Sequence, residues 1–76
     1  MKHWIKVYGE TKGQDCALLT LGKIDGIGAD AVRGFMDAEF PELENLDIQK
    51  GASNGRFTEF FISANDGNDH LYATVH

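Results

Sequence analysis

Cysteine is almost absent from this chain. Cys16 stands alone, so no intramolecular disulfide can form, and a small secreted fold stapled by disulfides is excluded. A lone thiol fits a reducing compartment, and a cytoplasmic location is expected. Proline occurs once, at Pro41, and there is no repetitive tract, which argues against a disordered chain. Long apolar runs are missing as well. Lys2 and Lys6 interrupt the N-terminal residues, and no later stretch approaches the ~18 apolar residues that cross a bilayer, so neither a signal peptide nor a membrane anchor is expected. Basic residues are scarce in the middle of the chain, where Arg33 alone stands against Asp25, Asp30, Asp37, Glu39, Glu42, Glu44 and Asp47. With a formal charge of -5 overall, the field repels phosphate backbones and disfavours nucleic acid as a partner.

What is present is enough for one domain. Seventy-six residues, 42% of them apolar, form a single unit over residues 1–76 that buries only ~60% of its unfolded surface. The organising stretch is Gly28 to Phe40. Val32, Phe35, Met36 and Phe40 recur at helical spacing with Ala29 one turn earlier, while Asp30, Arg33 and Asp37 fall on the other side. The helix stops before Pro41, which disfavours a helical conformation in the residue ahead of it.

The remaining segments alternate as strands do. His3 to Tyr8, Cys16 to Leu21, Leu43 to Lys50, Arg56 to Ser63 and His70 to His76 are separated by polar, glycine-bearing connections, including Gly51 to Gly55 and Ala64 to Asp69. The expected class is α+β in the order ββαβββ, one amphipathic helix packed on one face of a mainly antiparallel five-stranded sheet. If Ile5, Val7, Leu19, Leu21, Phe60, Ile62, Leu71 and Val75 face the helix, alternation sends Trp4, Tyr8, Leu18, Phe57, Phe61 and Tyr72 to a face that no helix covers. Phe60 and Phe61 are adjacent, and alternation alone does not choose which of them points inward. An exposed apolar patch of this size marks an interface, filled by a second copy or by another protein.

Two stretches resemble families that bind nucleic acid. Leu21, Ile24, Gly26, Ile27, Gly28, Val32 and Phe35 resemble the helix-hairpin-helix signature, in which a Gly-hydrophobic-Gly turn offers backbone amides to a DNA phosphate; that motif requires a helix before the turn, which Cys16 to Leu21 would supply. The alternative is a strand-to-helix turn that uses the permissive φ of glycine. The aromatic sheet face, with Gly55 to Phe60, is similar to RNA recognition motifs, where bases stack on such rings, though Glu59 departs from that pattern.

Other chemistry finds little support. Cys16, His3, His70 and His76 show no metal-ligand spacing, Asn65 to Asp69 lacks the alternating acids of a calcium loop, and no cofactor motif is present. Cys16 has no assignable base or pocket and reads as structural. The last feature is acidic: Asp37, Glu39, Glu42, Glu44 and Asp47 form a run without a base, a candidate docking ridge for a basic protein. The expectation is a non-enzymatic protein-binding module, such as a small phage- or mobile-element-type inhibitor. It would act on a basic protein, for example one that binds nucleic acid, through the acidic ridge, the aromatic face or both. The alternative is a nucleic-acid-binding module using the Gly26-Ile27-Gly28 turn or the aromatic face.

Overall fold

In the computed structural model, the stripe of Gly28 to Phe40 forms helix α1, Ala29–Glu39, with Gly28 at its N-cap and Phe40 at its C-cap. Val32 and Met36 are fully buried, and Phe35, Phe40 and Ala31 pack beside them. Ala29 is exposed, so Ala31 rather than Ala29 completes the apolar face. The structure describes the backbone of residues 2–11 and 14–76, and of these every side chain except those of residues 10, 11 and 14–16. The side chain of Cys16 therefore lies outside the described residues.

Five strands build one antiparallel sheet: β1 Lys2–Thr11, β2 Gln14–Asp25, β3 Asp47–Ser53, β4 Thr58–Ala64 and β5 Asp69–Val75. Their spatial order is β2-β1-β5-β4-β3, which places the last strand in the centre. The order ββαβββ, with one helix on one sheet face, is the α+β architecture the patterning predicts. The helix bridges the two edges, contacting β2 and β3.

Because partners in an antiparallel pair share a face, the register assigns every residue to a side. Ile5 aligns with Gly22 and Val75, Val7 with Ala73, and Phe60 with Ala73, and these form the covered face with Ile24, Ile62 and Ala64. Phe60 is fully buried, whereas Phe61 is half exposed on the other side. Phe35 of the helix lies against Gly22, so closely that a Cβ there would stand 2.5 Å from Phe35 Cε1. The bare backbone at Gly22 is what lets the helix settle over β2.

Several stretches depart from the sequence expectation: β1 continues past Tyr8 to Thr11, and β3 begins at Asp47 and not at Leu43. β2 runs on to Asp25 and takes in Lys23 and Ile24, and Ile24 joins the core instead of a hinge. Within β2 the register shifts opposite Val7 and Tyr8, so that Leu19 is the extra residue of a bulge. Leu19 stays on the helix side above Gly9, but Leu21, expected inward, pairs with Lys6 on the open face. β3 extends through Gly51 to Ser53, where a turn was expected, because the Phe61 ring packs over the bare backbone of Gly51 and covers the gap that a glycine leaves in an edge strand. The turn shortens to Asn54–Phe57, where Asn54 Oδ1 accepts hydrogen bonds from the amides of Arg56 and Phe57.

Candidate binding surfaces

Two surfaces stand out. The first is the open sheet face, where rows of residues can be read from the register. One row runs Leu21, Lys6, Thr74, Glu59 across β2, β1, β5 and β4, and the next runs Leu18, Tyr8, Tyr72, Phe61, Gln49 across all five strands. Trp4, paired with Lys23, begins the row before these, and the amide of His76 donates to the Trp4 carbonyl. Thus Trp4, Tyr8, Leu18, Phe57, Phe61 and Tyr72 share one face, joined by Leu21. Trp4, Leu18, Leu21 and Phe61 expose 48%, 53%, 51% and 52% of their surface, values that are high for residues of this size.

Three of the rings form a connected chain, and Phe57 forms a separate pair with His76. Tyr8 and Tyr72 lie 5.9 Å apart between centroids, Phe61 and Tyr72 5.5 Å, and Phe57 and His76 5.6 Å, all tilted as aromatic pairs prefer. Lys23 Nζ stands 4.6 Å above the Trp4 ring in a cation-π contact. Between the rings lies a shallow hollow of about 400 Å³, lined by Tyr8, Phe57, Tyr72, Thr74 and His76. Partial burial holds the Tyr72 phenol above its usual pKa, and the adjacent Glu59 carboxylate adds to the effect by hydrogen bonding and charge.

The second surface is the end of the molecule where α1 finishes. Asp37 and Glu39 lie on the last turns of the helix, Glu42 and Glu44 on the connection to β3, and Asp47 opens β3; all five are exposed. The structure adds Asp66 and Asp69 from the β4–β5 turn, which the sequence does not place near the others. Asn65 makes the junction. Its amide donates to the Glu44 carbonyl at 2.6 Å, its Oδ1 accepts from the Glu44 amide at 2.9 Å, and its Nδ2 donates to Asp69. Asn45 Nδ2 donates to Asp66 Oδ1 beside it. Asn45, Asn65 and Asp66 all adopt positive φ, the left-handed conformation that Asn and Asp tolerate best among residues with a side chain.

Arg33 reaches this end from the helix, where its guanidinium donates to the Leu46 carbonyl at 3.1 Å. Beside the carboxylates is a cleft of about 230 Å³ with Gly9, Leu19, Phe40, Leu43 and Leu71 on its walls and Glu42, Asp69 and His70 among its lining residues. It is smaller than a typical small-molecule site and matches one inserted side chain.

The Gly26-Ile27-Gly28 turn stands apart from both surfaces. Gly26 has φ +99, and strand β2, not a helix, precedes it, so the helix-hairpin-helix arrangement lacks its first helix. Ile27 is half exposed there. Among the described residues no group of three or more His, Cys, Asp or Glu is placed to hold a metal ion, and no helix is long and apolar enough to cross a membrane. No family model, no curated protein and no solved structure matches this chain.

Proposed function

We propose that this protein is a non-enzymatic binding module, a small cytoplasmic inhibitor or adaptor whose target is a basic protein. The observation that carries the reading is the acidic end, where Glu42 and Asp69 line an apolar cleft and hydrogen bonds tie the connection at Glu44 and Asn45 to Asn65 and Asp66 of the β4–β5 turn. Such an end attracts a basic surface over roughly the ~8 Å Debye length of physiological salt, and this attraction chiefly raises the association rate. The cleft then suits the stem of a lysine or arginine side chain, whose methylene groups pack on Leu43 and Leu71 while its charge remains near Glu42 and Asp69.

The test is kinetic. A partner is first isolated by affinity capture, and its association with the wild type is compared with that of a Glu39→Gln, Glu42→Gln, Glu44→Gln variant across a salt series. A several-fold slower association and a flatter salt dependence are expected for the variant. Equal on-rates would remove the acidic end from the recognition step.

A second reading, single-stranded nucleic acid stacked on the open face, is supported by the lysines that share that face. Lys2, Lys6 and Lys23 accompany Trp4, Tyr8 and Phe61 there, on a face that also carries Asp25, Asp47 and Glu59. Filter binding of labelled oligonucleotides at two salt concentrations separates the readings, since stacking on a lysine-bearing face weakens steeply with salt and is lost in Trp4→Ala.

A further inference from the structure

The open face is self-complementary, and we infer that it is covered by a second copy of this chain, related by a twofold axis running along β5. The inference concerns the sheet face and not the cleft at the acidic end; Asp47 alone belongs to both surfaces.

Charge balance is the first support. The chain as a whole is strongly acidic, yet among the described side chains the open face carries Lys2, Lys6 and Lys23 against Asp25, Asp47 and Glu59, three of each sign. Two copies can therefore meet there without the repulsion that the total charge suggests. The arrangement of those charges is the second support. Lys6 lies on β1 and Glu59 on β4, both opposite Thr74 of the central strand. Each sits one strand, about 4.8 Å, from β5, on opposite sides of it and in the same row.

A twofold axis along β5 exchanges the two sides of the face while keeping each row in place. It sets Lys6 of one copy over Glu59 of the other, twice, because an isologous contact repeats every pair. The neighbouring rows then match in kind: Tyr8 meets Phe61, and Trp4 meets Phe57. The hollow over Thr74 leaves room for opposing rings to interdigitate, and two sheets packed in this way form an aligned sandwich about 10 Å thick.

An axis perpendicular to the strands is a poorer solution. It keeps each strand over itself, so that Lys6 meets Lys6 and Glu59 meets Glu59 when the axis crosses their row, and both meet rings when it crosses midway to the Tyr8 row. In neither case does an opposite charge face them, and a buried unpaired charge is strongly destabilising. The arrangement along β5 does bring the two acidic ends to the same side. Apart from Asp47, those carboxylates lie outside the covered face, and salt screens them. A sheet of five strands at ~4.8 Å and about seven residues at ~3.4 Å offers a footprint of roughly 550 Å² per copy, near the lower limit for a specific interface, so association in the micromolar range is expected.

The test uses charge exchange. Sedimentation equilibrium of the wild type at about 10–100 μM should show a dimer that tightens, or holds, as salt rises, the opposite of the behaviour expected for a basic partner at the acidic end. Lys6→Glu and Glu59→Lys each place like charges across the interface and should weaken dimerisation about tenfold or more. An equimolar mixture of the two variants should restore the dimer, because a mixed pair has opposite charges at both contacts. Circular dichroism of each variant checks that it is folded, and the mixture rescues only folded chains. A wild type that stays monomeric throughout overturns the inference, and protection of Trp4 by an oligonucleotide or another protein would then identify the other occupant. A dimer unaffected by either variant also overturns it and points to pairing at the edge strands β2 or β3. Weakened variants that fail to recover on mixing do so as well.

Discussion

Both faces of the sheet carry large apolar residues, but the open face mixes them with charges, and only the other is covered. Phe60 and Phe61 are neighbours in one strand; the first is sealed beneath α1, and the second rests over Gly51 with half its surface exposed. Gly22 and Gly51 each lie under a phenylalanine ring, one on each face. The comparison teaches that apolar content does not define the core of a small domain. One helix of eleven residues has enough apolar side chain to cover one face, and the alternation that builds that face necessarily supplies a second.

The sharpest way to break this comparison is to truncate the adjacent phenylalanines. Phe60→Ala should cost about 3–5 kcal/mol, because it removes a fully buried ring and leaves a cavity, and Phe61→Ala should cost under about 1 kcal/mol in dilute solution. Chemical denaturation of both variants measures the difference, and equal losses would mean the two faces are equally buried in solution. The same contrast applies on β2, where Ile24→Ala should cost about 2–4 kcal/mol and Leu21→Ala under about 1 kcal/mol. The Leu21 result checks the bulge at Leu19, since without it Leu21 would face the helix.

A third pair adds atoms instead of removing them. In Gly22→Ala the new methyl meets a Phe35 ring held between helix and sheet, with a cost of about 1–3 kcal/mol. In Gly51→Ala it meets the exposed Phe61 ring, which can swing toward solvent, so thermal unfolding should shift much less. Asn65→Ala comes next. It leaves the Glu44 amide without its Asn65 partner and places alanine in a left-handed conformation, at about 1–2 kcal/mol, and it loosens the connection that carries Leu43 and Leu46 over the covered face. Asn65→Gly removes the backbone strain but not the lost hydrogen bonds, so it should fall between alanine and the wild type.

The smallest effect is the pH dependence of Tyr72. Its pKa is raised above the ordinary phenol value of 10.0 in the folded state, so the protonated phenol is favoured by folding. The resulting stability is fully present below the unfolded value and is lost as pH rises through the folded one. Tyr72→Phe should flatten the decline of the unfolding midpoint above pH ~10. An identical decline in both proteins would remove Glu59 and burial as its cause.

Much of the fold was legible in the chain. The helical stripe of Val32, Phe35, Met36 and Phe40 has one periodic reading, and the alternation of Ile5 with Val7 and of Leu71 with Val75 has another. Where periodicity was degenerate the chain gave no answer. Phe60 beside Phe61 suits either face, and Ala17, Leu18 and Leu19 are all apolar, so nothing local marks the extra residue of the bulge that turns Leu21 outward. Asn65 was hidden for a different reason: its partner Glu44 lies in another connection, and turn chemistry records only that Asn65 tolerates its conformation. The acidic run from Asp37 to Asp47 was readable as composition, but the arrival of Asp66 and Asp69 beside it was not.

The class, the helix, the alternating strands and the existence of a second, aromatic sheet face were set by the sequence, because these follow from periods of 3.6 and 2 within short segments. Only the tertiary structure decided that β5 enters between β1 and β4, because strand order depends on contacts between residues far apart in the chain. That one placement puts Thr74 between Lys6 and Glu59. It joins Tyr8 through Tyr72 to Phe61, and it swings the β4–β5 turn against Glu44. Both candidate surfaces are products of that strand order, and no local pattern of residues encodes it.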